Sequence, residues 1–183
     1  MKKIPILVAL CAALLLSLRA RPARADASAW VFTGGGAAFL KQHSLSLNPG
    51  ATMLLETGIG TSSSNNVIVG GSFQLQSFFS HGSDLALLAR LATRGYVTGG
   101  FGMALDAGPY RRFWGETSTG GVANLFLGAP WGITLGASSN WGSNDARGIS
   151  AVIGLDFARL TVFRNTGTNW LPNPFPADRP ENH

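Results

Sequence analysis

Cysteine is nearly absent: the single one, Cys11, lies in an apolar run close to the start of the chain. Beyond that run no disulfide framework and no cysteine metal site can be built. Charge is scarce as well, with Asp, Glu, Lys and Arg together only 13% of residues, about half the share of an ordinary globular domain. A surface solvated on all sides is hard to make from so little. No second apolar run is long enough for a membrane helix, although 45% of residues are hydrophobic. An apolar chain without such a run can still meet a bilayer through barrel strands.

Cofactor and metal signatures are missing too. Three consecutive glycines, Gly34 to Gly36, look like a phosphate-cradling loop only until one sees that neither a lysine nor a helical pattern follows. Close packing or strong curvature explains them better. His43 is a lone loop residue and His183 the chain end, so no metal and no cofactor are expected.

What is present begins with a leader. Lys2 and Lys3 precede an apolar run from Ile4 to Leu18, and Ala23-Arg-Ala25 offers a small-x-small site. Residues 1–25 therefore read as a secretory signal peptide, with Ala27-Ser-Ala29 as a second cleavage site and an uncleaved anchor as the alternative. Cys11 follows Leu10, where a lipidated cysteine would want a small residue, and belongs to the signal. The net charge of +5 is carried wholly by Lys2, Lys3, Arg19, Arg21 and Arg24. Removing them leaves nine basic against nine acidic residues, which is no electrostatic footprint for nucleic acid.

The mature chain alternates. In Trp131-Gly-Ile-Thr-Leu-Gly-Ala-Ser-Ser-Asn-Trp141 the residues Trp131, Ile133, Leu135, Ala137 and Trp141 share one parity, opposite Gly132, Thr134, Gly136, Ser138 and Asn140. Side chains of a strand change sides at every residue, so both indoles lie on one apolar face. At ~3.3 Å rise and a tilt of about 40°, ten residues climb roughly 25 Å, the height of the apolar band of an outer-membrane barrel, whose rims carry aromatic girdles. Trp131 is expected at the inner rim and Trp141 at the outer.

Seven further segments repeat the theme. Residues 30–40 form a first strand with Trp30, Phe32, Ala38 and Leu40 on one face; a polar loop is expected over 41–49. Met53, Leu55 and Ile59 then oppose Leu54 and Glu56; Val69, Phe73 and Leu75 oppose Ser72, Gln74 and Gln76; Leu85, Leu87 and Leu91 oppose Arg90. A fifth strand sets Val97, Phe101, Met103 and Leu105 against Thr98, Ala104 and Asp106, and residues 107–119 are expected as the longest loop. A sixth, 120–127, has an ambiguous face, and an eighth sets Ile149, Ile153, Leu155 and Phe157 against Ser150, Val152 and Asp156. Links one, five and seven are longer or more polar than the turns between them, as on an outer-membrane barrel. The fold class expected is all-β: an antiparallel up-and-down eight-stranded β-barrel over 26–164, preceded by an N-terminal signal helix. Residues 165–183 are expected as a Pro-rich flexible tail, since Pro cannot pair in a central strand.

Signal, eight amphipathic strands, aromatic rims and loop asymmetry together resemble the small bacterial outer-membrane β-barrels of the OmpA/OmpX type over residues 29–163, in architecture and without a specific motif. The resemblance implies a location in the bacterial outer membrane, contact with membrane lipid and a monomeric state. Such barrels commonly end on an aromatic read by the assembly machinery, a part that Phe163 would play ahead of the tail.

Candidate site residues follow from the same parity. An eight-stranded lumen is about filled by side chains, and unpaired charges inside it would be costly. Glu56 and Arg90 are expected to pair there, with Asp106 toward the outer mouth and Asp156 toward the inner. Tyr110, Arg111, Arg112, Phe113 and Trp114 are expected as a surface cluster suited to outer-leaflet lipid phosphates or to a snorkelling rim. No catalytic centre is expected. If there is one, His81-Gly-Ser83 is the candidate, because it resembles the His-x-Ser of outer-membrane lipid A deacylases, with His81 as base, Ser83 as nucleophile and Asp84 or Glu56 as the orienting acid. Three functions thus stay open: a structural or surface-binding outer-membrane barrel with a lumen plugged by side chains, a lipid A-modifying hydrolase, and a soluble periplasmic calycin-like barrel around a small apolar ligand.

Overall fold

The structure is a computed structural model that describes residues 27–42, 45–79 and 81–161, with side chains at 42–48 and at 161 left out of the description. The signal segment, the tail, Cys11, His43, Phe163 and His183 fall outside those residues. No helix among the described residues is long and apolar enough to cross a membrane.

The chain is an all-β, closed, antiparallel up-and-down barrel of eight strands. In order they are β1 (Ala27–Gln42), β2 (Leu45–Ser62), β3 (Val67–Phe78), β4 (Gly82–Thr93), β5 (Gly102–Arg112), β6 (Ser118–Gly128), β7 (Ile133–Gly142) and β8 (Arg147–Asp156). A single helical turn, α1 (Arg94–Val97), joins β4 to β5, and α2 (Phe157–Thr161) follows β8. Each strand pairs with its chain neighbours, and β1 closes the ring against β8, with Phe32 opposite both Glu56 and Asp156. Closure leaves no edge strand to satisfy. Both ends of the described chain lie at one rim, called lower here, with α1 and the β2–β3 and β6–β7 links.

Sidedness is inverted relative to a soluble domain. Phe73, Leu87, Leu91, Leu105, Leu135, Ile149 and Ile153 point outward and are exposed, whereas Glu56, Gln74, Gln76, Arg90, Asp106 and Asn124 are buried in the lumen. Two strands mix the rule. On β1 the shared face of Trp30, Phe32, Ala38 and Leu40 is the lumen face, and on β6 Val122 and Phe126 turn inward while Leu125 and Leu127 turn outward. Phe32 and Phe126 meet edge to face across the lumen, 5.4 Å between centroids.

Several expected boundaries are corrected. The polar loop expected over 41–49 is instead the top of a long hairpin, with β1 running to Gln42 and β2 starting at Leu45. Val97 and Phe101 are not strand: Val97 closes α1, Tyr96 and Val97 are buried, and β5 starts only at Gly102. The long loop expected over 107–119 shrinks to 113–117, because Pro109 sits inside β5 on its outward face rather than in a turn. Lacking an amide hydrogen, it coincides with a gap in the β4–β5 ladder between Ala86–Tyr110 and Ala89–Ala107. The expected alternation of short and long links therefore does not hold, since the link through α1 at the lower rim is as substantial as any above. Trp131 belongs to a 3-10 turn at Pro130–Gly132 with φ of 62°, and Phe157 starts α2 instead of ending β8.

Glycines on the lumen face make room for one large ring. The Trp30 indole lies across Gly58 and Gly70, where an added Cβ would come within 2.5 Å of it. Gly70→Leu should press on both that indole and the Ile59 carbonyl of β2 and cost about 1–3 kcal/mol, the usual penalty of overpacking. The check is a lowered temperature for the gel-mobility shift of the folded barrel; an unchanged transition would remove this account of the glycine.

Candidate functional site

The lumen is organised by two buried arginines at different heights. Arg90 on β4 faces its cross-strand partner Asp106 on β5, with Nε donating to Oδ1 at 2.7 Å and Nη2 to Oδ2 at 2.5 Å. The same Nη2 forms an ion pair with Glu56 of β2. The guanidinium stacks 4.6 Å from the Trp30 ring centre, 5.2 Å from Phe126 and 5.4 Å from Tyr96. A fork bound on two sides and walled by aromatic faces is held in one orientation. Asp106, expected nearer the outer mouth, lies level with Arg90 instead, because strand register rather than position along the chain sets its height.

The second arginine is Arg112. Its Nε reaches Asp84 Oδ1 at 3.0 Å and its Nη2 reaches Oδ2 at 2.9 Å. Trp114 Nε1 donates to the same carboxylate at 3.1 Å, and its ring lies 4.5 Å from the guanidinium carbon. Tyr110 and Arg112 are thus buried lumen residues, not members of a surface cluster. The inward parity of Asp106 simply continues through Gly108 to Tyr110 and Arg112. Arg111 and Phe113 do face out, 5.4 Å apart, and Trp114 folds back against Phe78. Amide side chains stand opposite the carboxylates of both clusters: Asn124, across from Asp106, donates to Gln74, across from Glu56, at 2.6 Å, and Gln76, across from Asp84, donates to Ser150 at 2.9 Å.

The lower rim has its own device. Asp156 Oδ1 accepts from the amides of Ala158 at 3.0 Å and Arg159 at 3.3 Å, capping the first turn of α2, and from the amide of Val31. A cap of this kind is worth about 1 kcal/mol. Arg159 then reaches Gly100 O at 2.8 Å, Ala129 O at 2.9 Å and Thr134 Oγ1 at 3.0 Å, with the Tyr96 ring 5.0 Å beneath it. It fits because Gly128 has no side chain: a Cβ there would meet the guanidinium carbon at 2.7 Å. Neither Arg159 nor Tyr96 stands out in sequence, as each lies where a strand pattern stops.

Each catalytic candidate has another partner among the described residues. His81 packs against Trp114, 5.0 Å between ring centres, while Ser83 Oγ pairs with Ser77 Oγ at 2.9 Å. Asp84 is held by Arg112 and Trp114, and Glu56 by Arg90. Trp131 and Trp141 both lie on the outer surface, Trp141 at the upper end of β7.

Arg90 serves two carboxylates, which gives an asymmetric expectation. Arg90→Leu would strand Glu56 and Asp106 in the lumen and should cost about 3–5 kcal/mol, whereas Glu56→Gln removes one excess charge and should cost far less. Urea titration of the folded barrel compares them; equal losses would mean that the guanidinium is not the shared partner.

No protein-family model matches the chain, and no curated protein matches it. Among solved structures the chain is similar to the crystal structure of Ail, the attachment invasion locus protein of Yersinia pestis, in complex with the heparin analogue sucrose octasulfate. The two are 11% identical with a TM-score of 0.47, over 72% of this chain and 97% of that one. The assignment of architecture rests on the chain's own pairing: it is a closed eight-stranded antiparallel up-and-down β-barrel.

Proposed function

We propose that the chain is an outer-membrane β-barrel with a structural or surface-binding role, plugged by its own side chains and without catalysis. The carrying observation is the sidedness of the wall: large apolar side chains outward, charged and amide side chains inward. Water around the wall would leave that apolar surface unburied, far beyond the few hundred Å² usual for a soluble monomer; lipid covers it at no such cost. A secretory signal over residues 1–25, as the sequence reads, would agree with this location. Membrane lipid is then the principal partner, and a ring without edge strands favours a monomer. Arg111, outward at the upper rim, suits the phosphates of outer-leaflet lipids.

The lumen reading rests on the two arginine clusters and on Arg159 across the lower mouth. A soluble calycin-like barrel would need an apolar interior for its ligand, and Glu56, Asp84, Arg90, Asp106 and Arg112 occupy that space. Lipid A hydrolysis would need His81 and Ser83 joined, and each has another neighbour.

Membrane fractionation with heat-modifiable gel mobility tests the location; a chain found wholly in the soluble periplasm would sink it. His81→Ala and Ser83→Ala should leave lipid A acylation unchanged by mass spectrometry, and altered acylation in either variant would restore the enzymatic reading. In planar bilayers the wild-type barrel should give no steady conductance.

A further inference from the structure

On the described strands the charges that face away from the lumen are Lys41 of β1, Arg111 of β5 and Arg147 of β8. All three are cations, and all three stand at the upper rim. Two of them crown a groove of about 830 Å³ on the outer wall, lined by Phe39, Lys41, Ser139, Trp141, Arg147 and Ile149. Its floor depends on a glycine. The Trp141 indole lies flat over Gly121, where an added Cβ would come within 2.9 Å of three ring atoms. Folded toward β6 in this way, the indole leaves the wall open above β8.

Polarity within the groove is ordered by height. At the top, Lys41 Nζ lies 3.0 Å from Asp145 Oδ2 and Arg147 Nε lies 3.2 Å from Asp145 Oδ1. One carboxylate between two cations leaves an excess positive charge. Arg147 meets Asp145 through its Nε, and its side chain is 72% exposed, so the guanidinium stays accessible from outside. The hydrogen bond from Lys41 holds the Asp145 carboxyl below the usual carboxylate range, so the clip persists until acid pH protonates it and only then is lost. Beneath the cations the outward residues are Phe39, Ala37, Ile149, Ala151 and Ile153, with no charge among them.

We propose that this groove seats one phosphorylated membrane lipid, its phosphate on Lys41 and Arg147 and an acyl chain along Phe39, Ile149 and Trp141. The inference rests on the membrane reading above and names a partner for this face. An occupant must be anionic at one end and apolar at the other. Free phosphate would have no use for the apolar floor, and a second copy related by a two-fold axis would bring like cations together. Arg147 supplies a planar fork and Lys41 a point charge, the usual pair of phosphate donors.

The test uses the full chain inserted into phosphatidylcholine vesicles doped with diphosphoryl lipid A, then released for native mass spectrometry, with gel mobility reporting that each variant is folded. Wild type should retain one lipid A per barrel. The Lys41→Ala, Arg147→Ala double variant should retain about tenfold less or lower still, the scale of a lost charge-assisted contact. Gly121→Leu, which lifts the indole and keeps the charges, should also lower retention. Dephosphorylated lipid should not be held. Retention indifferent to the double variant, full displacement by inorganic phosphate alone, or release as a dimer with no lipid would each overturn the proposal. A chain that never enters the vesicles would overturn the membrane reading itself, and this inference with it.

Discussion

Backbone pairing between β1 and β8 is the constraint from which the rest of the structure follows. Phe32 to Leu40 is bonded on one side to β2 and on the other to β8, so the ring is closed through its middle, and only the strand ends, such as 27–31 of β1 and 45–50 of β2, run past their second neighbour. In a hydrocarbon surrounding each unpaired amide costs several kcal/mol, and ring closure removes that cost for all eight strands together. An even number of strands also returns the chain to the rim from which it started.

Closure at eight strands makes a lumen too narrow to be left empty and too polar to be packed with aliphatic side chains alone. The chain fills it with rings and charges in combination. Arg90 is the hub: two carboxylates hold its fork and Trp30, Phe126 and Tyr96 wall it in. Buried ion pairs of this sort add little net stability, since desolvation offsets the attraction. Losing one partner is what costs, so the cluster acts mainly to hold β2, β4 and β5 in a single register.

The two rims differ in kind. Below, Asp156 and Arg159 tie α2 to the returning turns and lay a guanidinium across the mouth. Above, Trp114 covers Arg112, while Lys41, Arg111 and Arg147 face outward. A wall that is apolar along its length and cationic at one end suits a bilayer whose facing leaflet is anionic, which is why the function proposed here lives on the outer surface and not in the lumen.

Period-two alternation by itself determined the fold class, the number of strands and the face on which Glu56, Gln74 and Arg90 stand, because parity is a local property of an extended backbone. It also held what was needed for Tyr110 and Arg112, whose parity continues that of Asp106; Pro109 hid it by looking like a turn when it could be carried on an outward strand face. Other features had no local signature. Whether the shared face of Trp30 and Phe32 looked in or out depended on which residues of β2 and β3 were glycine. The level of Asp106 was decided by its pairing opposite Arg90, and the place of Arg159 by two turns and a strand end distant in sequence. Alternation tells a residue which side it is on; only the register of a closed ring, set by all the strands at once, decides what it meets there.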